Sequence, residues 1–177
     1  MSGSLRQDSF NTRLIRAARE LAPDGMTIET ADLAPLPLYN EDVRAAGYPA
    51  AVAAFREAIR AADALLIATP EYNYSLSGVL KNAIDWASRP PEQPLAGKPL
   101  AIMGASIGLG GTMRAQYHLR QICVSVDLLT LNKPEVMVRS AADKFDAGGA
   151  LTDEKTREHV RRLLEALASW TKRLGGA

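Results

Sequence analysis

The stretch ALLIATPEYNYSLSGVLKNAIDWA (64–87) decides how this chain folds. Ala64 to Thr69 is a continuous apolar run, too short for a helix and closed by Pro70, which is the pattern of a strand buried on both faces. EYNYSLSG (71–78) is a polar loop, after which Val79, Leu80, Ala83, Ile84 and Ala87 recur at helical spacing. The same unit returns downstream. LAIMGAS (100–106) is a second buried strand, SIGLGGTMR (106–114) a second polar loop, and Met113 to Val126 a helix. At the amino end, SGSLRQDSFN (2–11) feeds directly into a helix over Ser9 to Leu21, striped by Phe10, Leu14, Ala18 and Leu21.

The remaining segments fill in an alternating pattern. Asp24-Gly25 marks a turn, and MTIETADL (26–33) alternates as a half-exposed strand does. Residues 34–49 read as a loop with three prolines, and Val52, Phe55, Ile59 and Ala62 stripe a further helix. RPPEQPLAGKP (89–99) is a surface excursion. Leu128–Leu131, taken with Val136–Val138, supplies the last strand, 143–149 a linker, and Val160, Leu163, Leu164, Leu167, Thr171 and Leu174 a closing helix. Strands alternating with helices predict an α/β fold, a parallel sheet covered on both faces, in one domain over residues 1–177. Ligands in such sheets sit beyond the carboxyl ends of the strands. Three polar loops are expected at that edge: SGSLRQDSFN, PEYNYSLSG and SIGLGGTMR.

Composition narrows the partners. Hydrophobic residues make up 47% and charged residues 23%, an ordinary globular balance. Lys plus Arg number 21 against 20 Asp plus Glu, so the basic excess of a nucleic-acid binder is lacking. No apolar run approaches the roughly 18 residues of a membrane-spanning helix. No secretory signal is seen, and the lone Cys123 cannot form an internal disulfide, so the expected compartment is the cytoplasm.

Each loop suggests a chemistry. In the first, backbone N–H groups at a helix N-terminus lack internal partners and attract anions. Ser4, Ser9 and Asn11 add short donors and Arg6 a planar cation, a set suited to a phosphate; Ser9 alone reads equally well as a helix cap. In the second, Tyr72 and Tyr74 could flank a planar ring while Glu71 and Asn73 bond its polar edge; alternatively the tyrosines pack on the surface. The glycine-dense third loop permits close backbone approach to a flat ligand. Arg114 faces either a ligand edge or a neighbouring subunit.

Other chemistries are poorly supported. There is no GxxxxGK(S/T) loop, no third glycine for a dinucleotide fingerprint because position 113 is Met113, and no GxSxG elbow. His118 and His159 have no second ligand at metal spacing, and Cys123, inside a helix, reads as a small buried hydrophobe. A phosphate pocket and a ring pocket without nucleophile or metal point to a cofactor that performs the chemistry.

GSLRQDSFN (3–11), TPEYNYSLSGVLKNAIDWASRP (69–90) and GLGGTMRAQYHLRQI (108–122) together resemble the NADPH-dependent FMN reductase family, the flavodoxin-like group of bacterial quinone and chromate reductases and azoreductase relatives. The resemblance runs from about residue 2 to about residue 138, and its middle motif is the most specific. It implies a flavodoxin-like three-layer α/β/α fold with a five-stranded parallel sheet ordered 2-1-3-4-5. It implies an FMN-dependent NAD(P)H oxidoreductase, with NADPH or NADH as co-substrate. Hydride passes from the nicotinamide to FMN, and two electrons then reach a quinone-like acceptor, chromate, an azo dye or free flavin. By the same resemblance Ser4, Leu5, Arg6, Ser9, Phe10 and Asn11 hold the FMN phosphate. Pro70, Glu71, Tyr72, Asn73 and Tyr74 line the isoalloxazine, and Ser106, Gly108, Gly110 and Gly111 close its other side. No catalytic side chain is implied.

A homodimer or homotetramer is also implied, with Asp85, Trp86, Arg114, Tyr117 and Glu135 either at the interface or in ordinary packing. The expected partner is a small-molecule electron acceptor, with no nucleic acid and no membrane. One departure stands out: the family carries an apolar strand just before GSLR, where this chain has only Met1 and Ser2, so the first strand is expected to be missing or truncated. Two readings compete with the enzyme: a flavodoxin-like electron carrier, disfavoured by the near-neutral charge, and a flavin-binding module without turnover.

Overall fold

The computed structural model describes residues 1–175. Its elements in chain order are α1 (Phe10–Glu20), α2 (Glu41–Ala45), α3 (Ala50–Ala61), β1 (Leu65–Ala68), α4 (Gly78–Ala87), β2 (Pro99–Ala105), α5 (Met113–Ser125), β3 (Leu129–Thr130), β4 (Val136–Val138) and α6 (Glu154–Gly175). All four strands are parallel. β2 is the axis of the sheet. β1 ladders with Leu100–Met103 along one edge. β3 joins the other edge at Pro99 and Leu100, and β4 joins that edge further on, at Met103–Ala105. The single last strand expected from the sequence is thus divided into two, β3 and β4, along the same edge of β2.

Alternation along the strands sends successive side chains to opposite faces. Leu66, Ala68, Ala101, Met103 and Ala105 meet Leu14, Ala18, Leu21, Val160, Leu163, Leu164 and Leu167, so α1 and α6 cover one face. Leu65, Ile67, Leu100 and Ile102 meet Phe55, Ile59, Leu80, Ile84, Leu119 and Cys123, so α3, α4 and α5 cover the other. Each fully buried leucine among these contributes roughly 2 kcal/mol from area removed from water. Cys123 is one of the core residues, and burial pushes its thiol up to about 12.

Three expectations are corrected. MTIETADL (26–33) is not a strand. Its Met26 and Ile28 still turn toward one core and its Leu33 toward the other, but among the described residues no strand ladders with it. Between it and β1 runs a groove of about 810 Å³, lined by Met26–Ala31, Leu65, Leu66 and Leu167. Among the described residues, only Met1–Gly3 pair along the far edge of β1: Ser2 bridges Ala68 in parallel, and the Gly3 N–H donates to the Ala68 carbonyl at 2.8 Å. Secondly, the 34–49 loop contains α2, whose cap Asn40 accepts from the Asp42 N–H. Thirdly, Leu174, expected on the inward stripe of α6, is exposed. Of the two readings of Trp86, ordinary packing holds: the side chain is wholly buried within the chain. Its indole N–H donates to Pro37 and its ring meets Tyr39 edge-on, so it serves intrachain packing. No described helix is long and apolar enough to cross a membrane.

Candidate functional site

The three loops do meet at the carboxyl edge of β1 and β2, through specific bonds. Ser77, the cap of α4, donates its hydroxyl to the Gly3 carbonyl at 2.5 Å, tying the first loop to the second. A Cβ on Gly3 would lie 3.0 Å from the Pro70 ring and 3.3 Å from Leu80 and Ser77, so a larger residue here would push the two segments apart by a few tenths of an ångström. Asn11 ties the first loop to the third: its amide accepts from the Ala105 N–H at 2.9 Å and donates to the Ala105 carbonyl at 3.0 Å. Glu71 ties the second to the third, accepting from the N–H groups of Arg114 and Ala115 at 2.9 and 3.1 Å.

In the first loop most of the polar side chains are already engaged. Ser9 is buried and caps α1, accepting from the Asn11 and Thr12 N–H groups. Asn11 is 3% exposed and wholly occupied by Ala105. Ser4 accepts from the Arg6 N–H, and the Arg6 guanidinium reaches the Asp8 carbonyl at 2.6 Å while remaining exposed. Left over is the main chain: the N–H groups of Leu5, Gln7, Asp8 and Phe10 have no acceptor among the described residues. They surround the positive end of α1, which is what an anion requires. The Phe10 ring packs on Phe145, centroids 5.5 Å apart.

The second loop reverses this arrangement. Tyr72 and Ser75 exchange two backbone hydrogen bonds of 3.0 Å, and Asn73 and Tyr74 hold φ of +50° and +65°. This is a two-residue hairpin turn of the primed kind, with the main chain closed on itself. What it offers outward are rings: Tyr72 is 51% and Tyr74 66% exposed. The carboxylate of Glu71 points to α5 rather than to open space, and Pro70 is buried beside Gly3.

In the third loop Ser106, half-buried, accepts from the Gly108 N–H, and Gly108 in turn accepts from Gly111. Gly111 needs its glycine, with φ +60° and Met137 backbone 3.2 Å from where a Cβ would sit. Gly108 and Gly110 are exposed. Sequence reasoning missed Ser77, Ser2 and Gln116. Ser77 stands directly before the GVLKN run and carries the ordinary cap signal. Ser2 accepts from Ser4 and Thr12, and Gln116 braces Thr112 from below; neither carries a local signal. Among the described residues no cluster of three His, Cys, Asp or Glu side chains could hold a metal ion.

Residues 1–143 match the family described as NADPH-dependent FMN reductase. An NAD(P)H-dependent FMN reductase of Pseudomonas aeruginosa is 62% identical over 176 residues, covering 99% of this chain and 95% of its own. A quinone reductase of Escherichia coli is 46% identical over 175 residues, covering 97% and 93%. Among solved structures, the flavoenzyme NAD(P)H:(acceptor) oxidoreductase of Paracoccus denitrificans superposes with a TM-score of 0.90 at 36% identity, over 98% of this chain and 95% of that one.

Proposed function

This chain belongs to the NADPH-dependent FMN reductase family, and from that premise we propose how its three loops divide the work. It is an FMN-dependent NAD(P)H oxidoreductase that reduces quinone-like or similar small acceptors. FMN, when bound, supplies the chemistry by accepting a hydride from NAD(P)H and delivering two electrons to the acceptor.

The residues present suit that cofactor. The unpartnered N–H groups of Leu5, Gln7, Asp8 and Phe10, with the Ser4 hydroxyl and the Arg6 cation, hold the phosphate. Ser9 and Asn11 act one step back: by capping α1 and bracketing Ala105 they fix the loop in the shape that leaves those donors free. Tyr72 and Tyr74 line the isoalloxazine from the tight turn, with Pro70 and Asn73 setting the path of the chain beneath them. Ser106, Gly108, Gly110 and Gly111 bring main chain close on the other side. The chain binds, orients and excludes water; no side chain is assigned a proton transfer.

The observation that carries this reading is the convergence of the loops through Ser77–Gly3, Asn11–Ala105 and Glu71–Arg114. We extend the proposal to the finer fold, a single flavodoxin-like domain ordered 2-1-3-4-5. In support, Met1–Gly3 run beside β1 where the first strand would lie, and 26–31 face the same groove from the far side, where the second would ladder. A homodimer or homotetramer in the cytoplasm is part of the same proposal, supported by the exposed Tyr72, Tyr74, Leu109 and Tyr117 around the site.

Steady-state kinetics test the whole. Protein loaded with FMN should oxidise NADPH continuously only when benzoquinone is supplied. Bound flavin without turnover would favour the electron carrier, and a protein that takes up no FMN would end the proposal.

A further inference from the structure

The helix α5 begins without a cap of its own. Thr112 stands at the cap position yet makes no side-chain bond to the first turn. Its hydroxyl instead faces inward and accepts from the buried Gln116 amide at 2.9 Å. Room for that exists because residue 104 is glycine: a Cβ there would lie 2.1 Å from the Thr112 hydroxyl oxygen. The first-turn donors of Arg114 and Ala115 must therefore be satisfied from elsewhere. They are satisfied by Glu71, whose Oε2 accepts both. A carboxylate suits that place, at the positive end of a helix and in charge-assisted bonds.

The second oxygen of Glu71 is engaged as well. Oε1 accepts from the Arg114 guanidinium at 3.3 Å, and that guanidinium lies 4.0 Å from the centroid of the Tyr74 ring. Tyr74 is one of the residues held at positive φ, a conformation that costs a side-chain-bearing residue about 1–2 kcal/mol. A turn with that intrinsic cost keeps its shape only if something outside it holds on. Glu71, 11% exposed at its side chain, leads into the turn from one end, and Arg114 clamps the ring at its tip.

We infer that Glu71 is a positioning residue for the electron acceptor: its carboxylate caps α5 and, through Arg114, fixes the Tyr74 ring at the crevice, instead of bonding the polar edge of the flavin. The inference rests on the crevice being the FMN site. It differs from the role that the family resemblance implies for this side chain, and it makes the width between the aromatic turn and the glycine loop depend on one residue.

Glu71→Gln separates the two duties. The amide oxygen still accepts from the Arg114 and Ala115 N–H groups, but its NH2 now meets the guanidinium donor to donor, so Arg114 and Tyr74 are released while the cap remains. We expect a melting temperature close to wild type, FMN binding weakened only ~2-fold because the phosphate loop and Tyr72 are untouched, KM for benzoquinone raised ~10-fold with kcat little changed in the FMN-saturated enzyme, and an altered visible circular dichroism of the flavin. Hydrogen exchange gives a readout that needs no flavin. The Tyr72 and Ser75 amides should exchange ~10-fold faster in Glu71→Gln, with the first turn of α5 unchanged. Glu71→Ala, which loses the cap too, should add faster exchange at Arg114 and Ala115 and a lower melting temperature. Wild-type KM and wild-type exchange in the glutamine variant would overturn the inference, as would loss of FMN from that variant with the turn still protected. Failure of the underlying reading shows separately, as wild-type protein that binds no FMN, and the exchange comparison still decides the brace.

Discussion

The first loop and the aromatic turn look alike in the sequence, since both are short polar stretches ahead of a helix, yet they present opposite parts of the chain. In SGSLRQDSFN the side chains of Ser9 and Asn11 are spent on the protein itself, and backbone N–H groups are left over. In EYNYS the backbone of Tyr72 and Ser75 is spent on itself, and two aromatic rings are left over. Leftover N–H groups at a helix end read charge; leftover rings read flat surfaces. That contrast is what the proposed function builds on, with one loop holding a phosphate, the other lying along a planar tricycle, and a single cofactor that has both parts joining them.

The sharpest way to break that contrast is at Asn11. Asn11→Leu leaves the buried N–H and carbonyl of Ala105 without partners, which should cost roughly 2–4 kcal/mol in urea unfolding and weaken FMN binding along with it. A variant that unfolds like wild type would mean that the bracket does not shape the loop.

The smallest change in stability is expected where the function changes most. Tyr74→Gly relieves the positive φ but gives up the Arg114 stack and adds chain entropy, so unfolding should shift by less than about 0.5 kcal/mol. KM for benzoquinone should nonetheless rise. A large loss of stability with unchanged kinetics would show the ring to be structural.

Much of this was legible in advance because it depends on local pattern. The runs 64–69 and 100–106 are apolar on both faces and became β1 and β2; the stripes of α1, α3 and α4, and that of α6 as far as Leu167, fell where their spacing put them. What was not legible depends on partners distant in sequence. The alternation of 26–33 reports which side chains turn inward, and it is blind to whether a strand lies alongside to be laddered. An asparagine at position 11 advertises an amide, but nothing nearby says that it is spent on Ala105. Glu71 is the same case, since the helix it caps lacks a cap only because Thr112 is drawn toward Gln116 above Gly104. Five-residue α2 is held by its Asn40 cap, a signal outweighed by the prolines around it.

Equilibrium titration of the apoprotein with FMN and, separately, with riboflavin tests the central claim most directly, because the two ligands share the ring and differ in the phosphate. A dianion received by several free N–H groups should make FMN bind at least ~100-fold more tightly than riboflavin. Equal affinities, or binding of neither, would contradict the account.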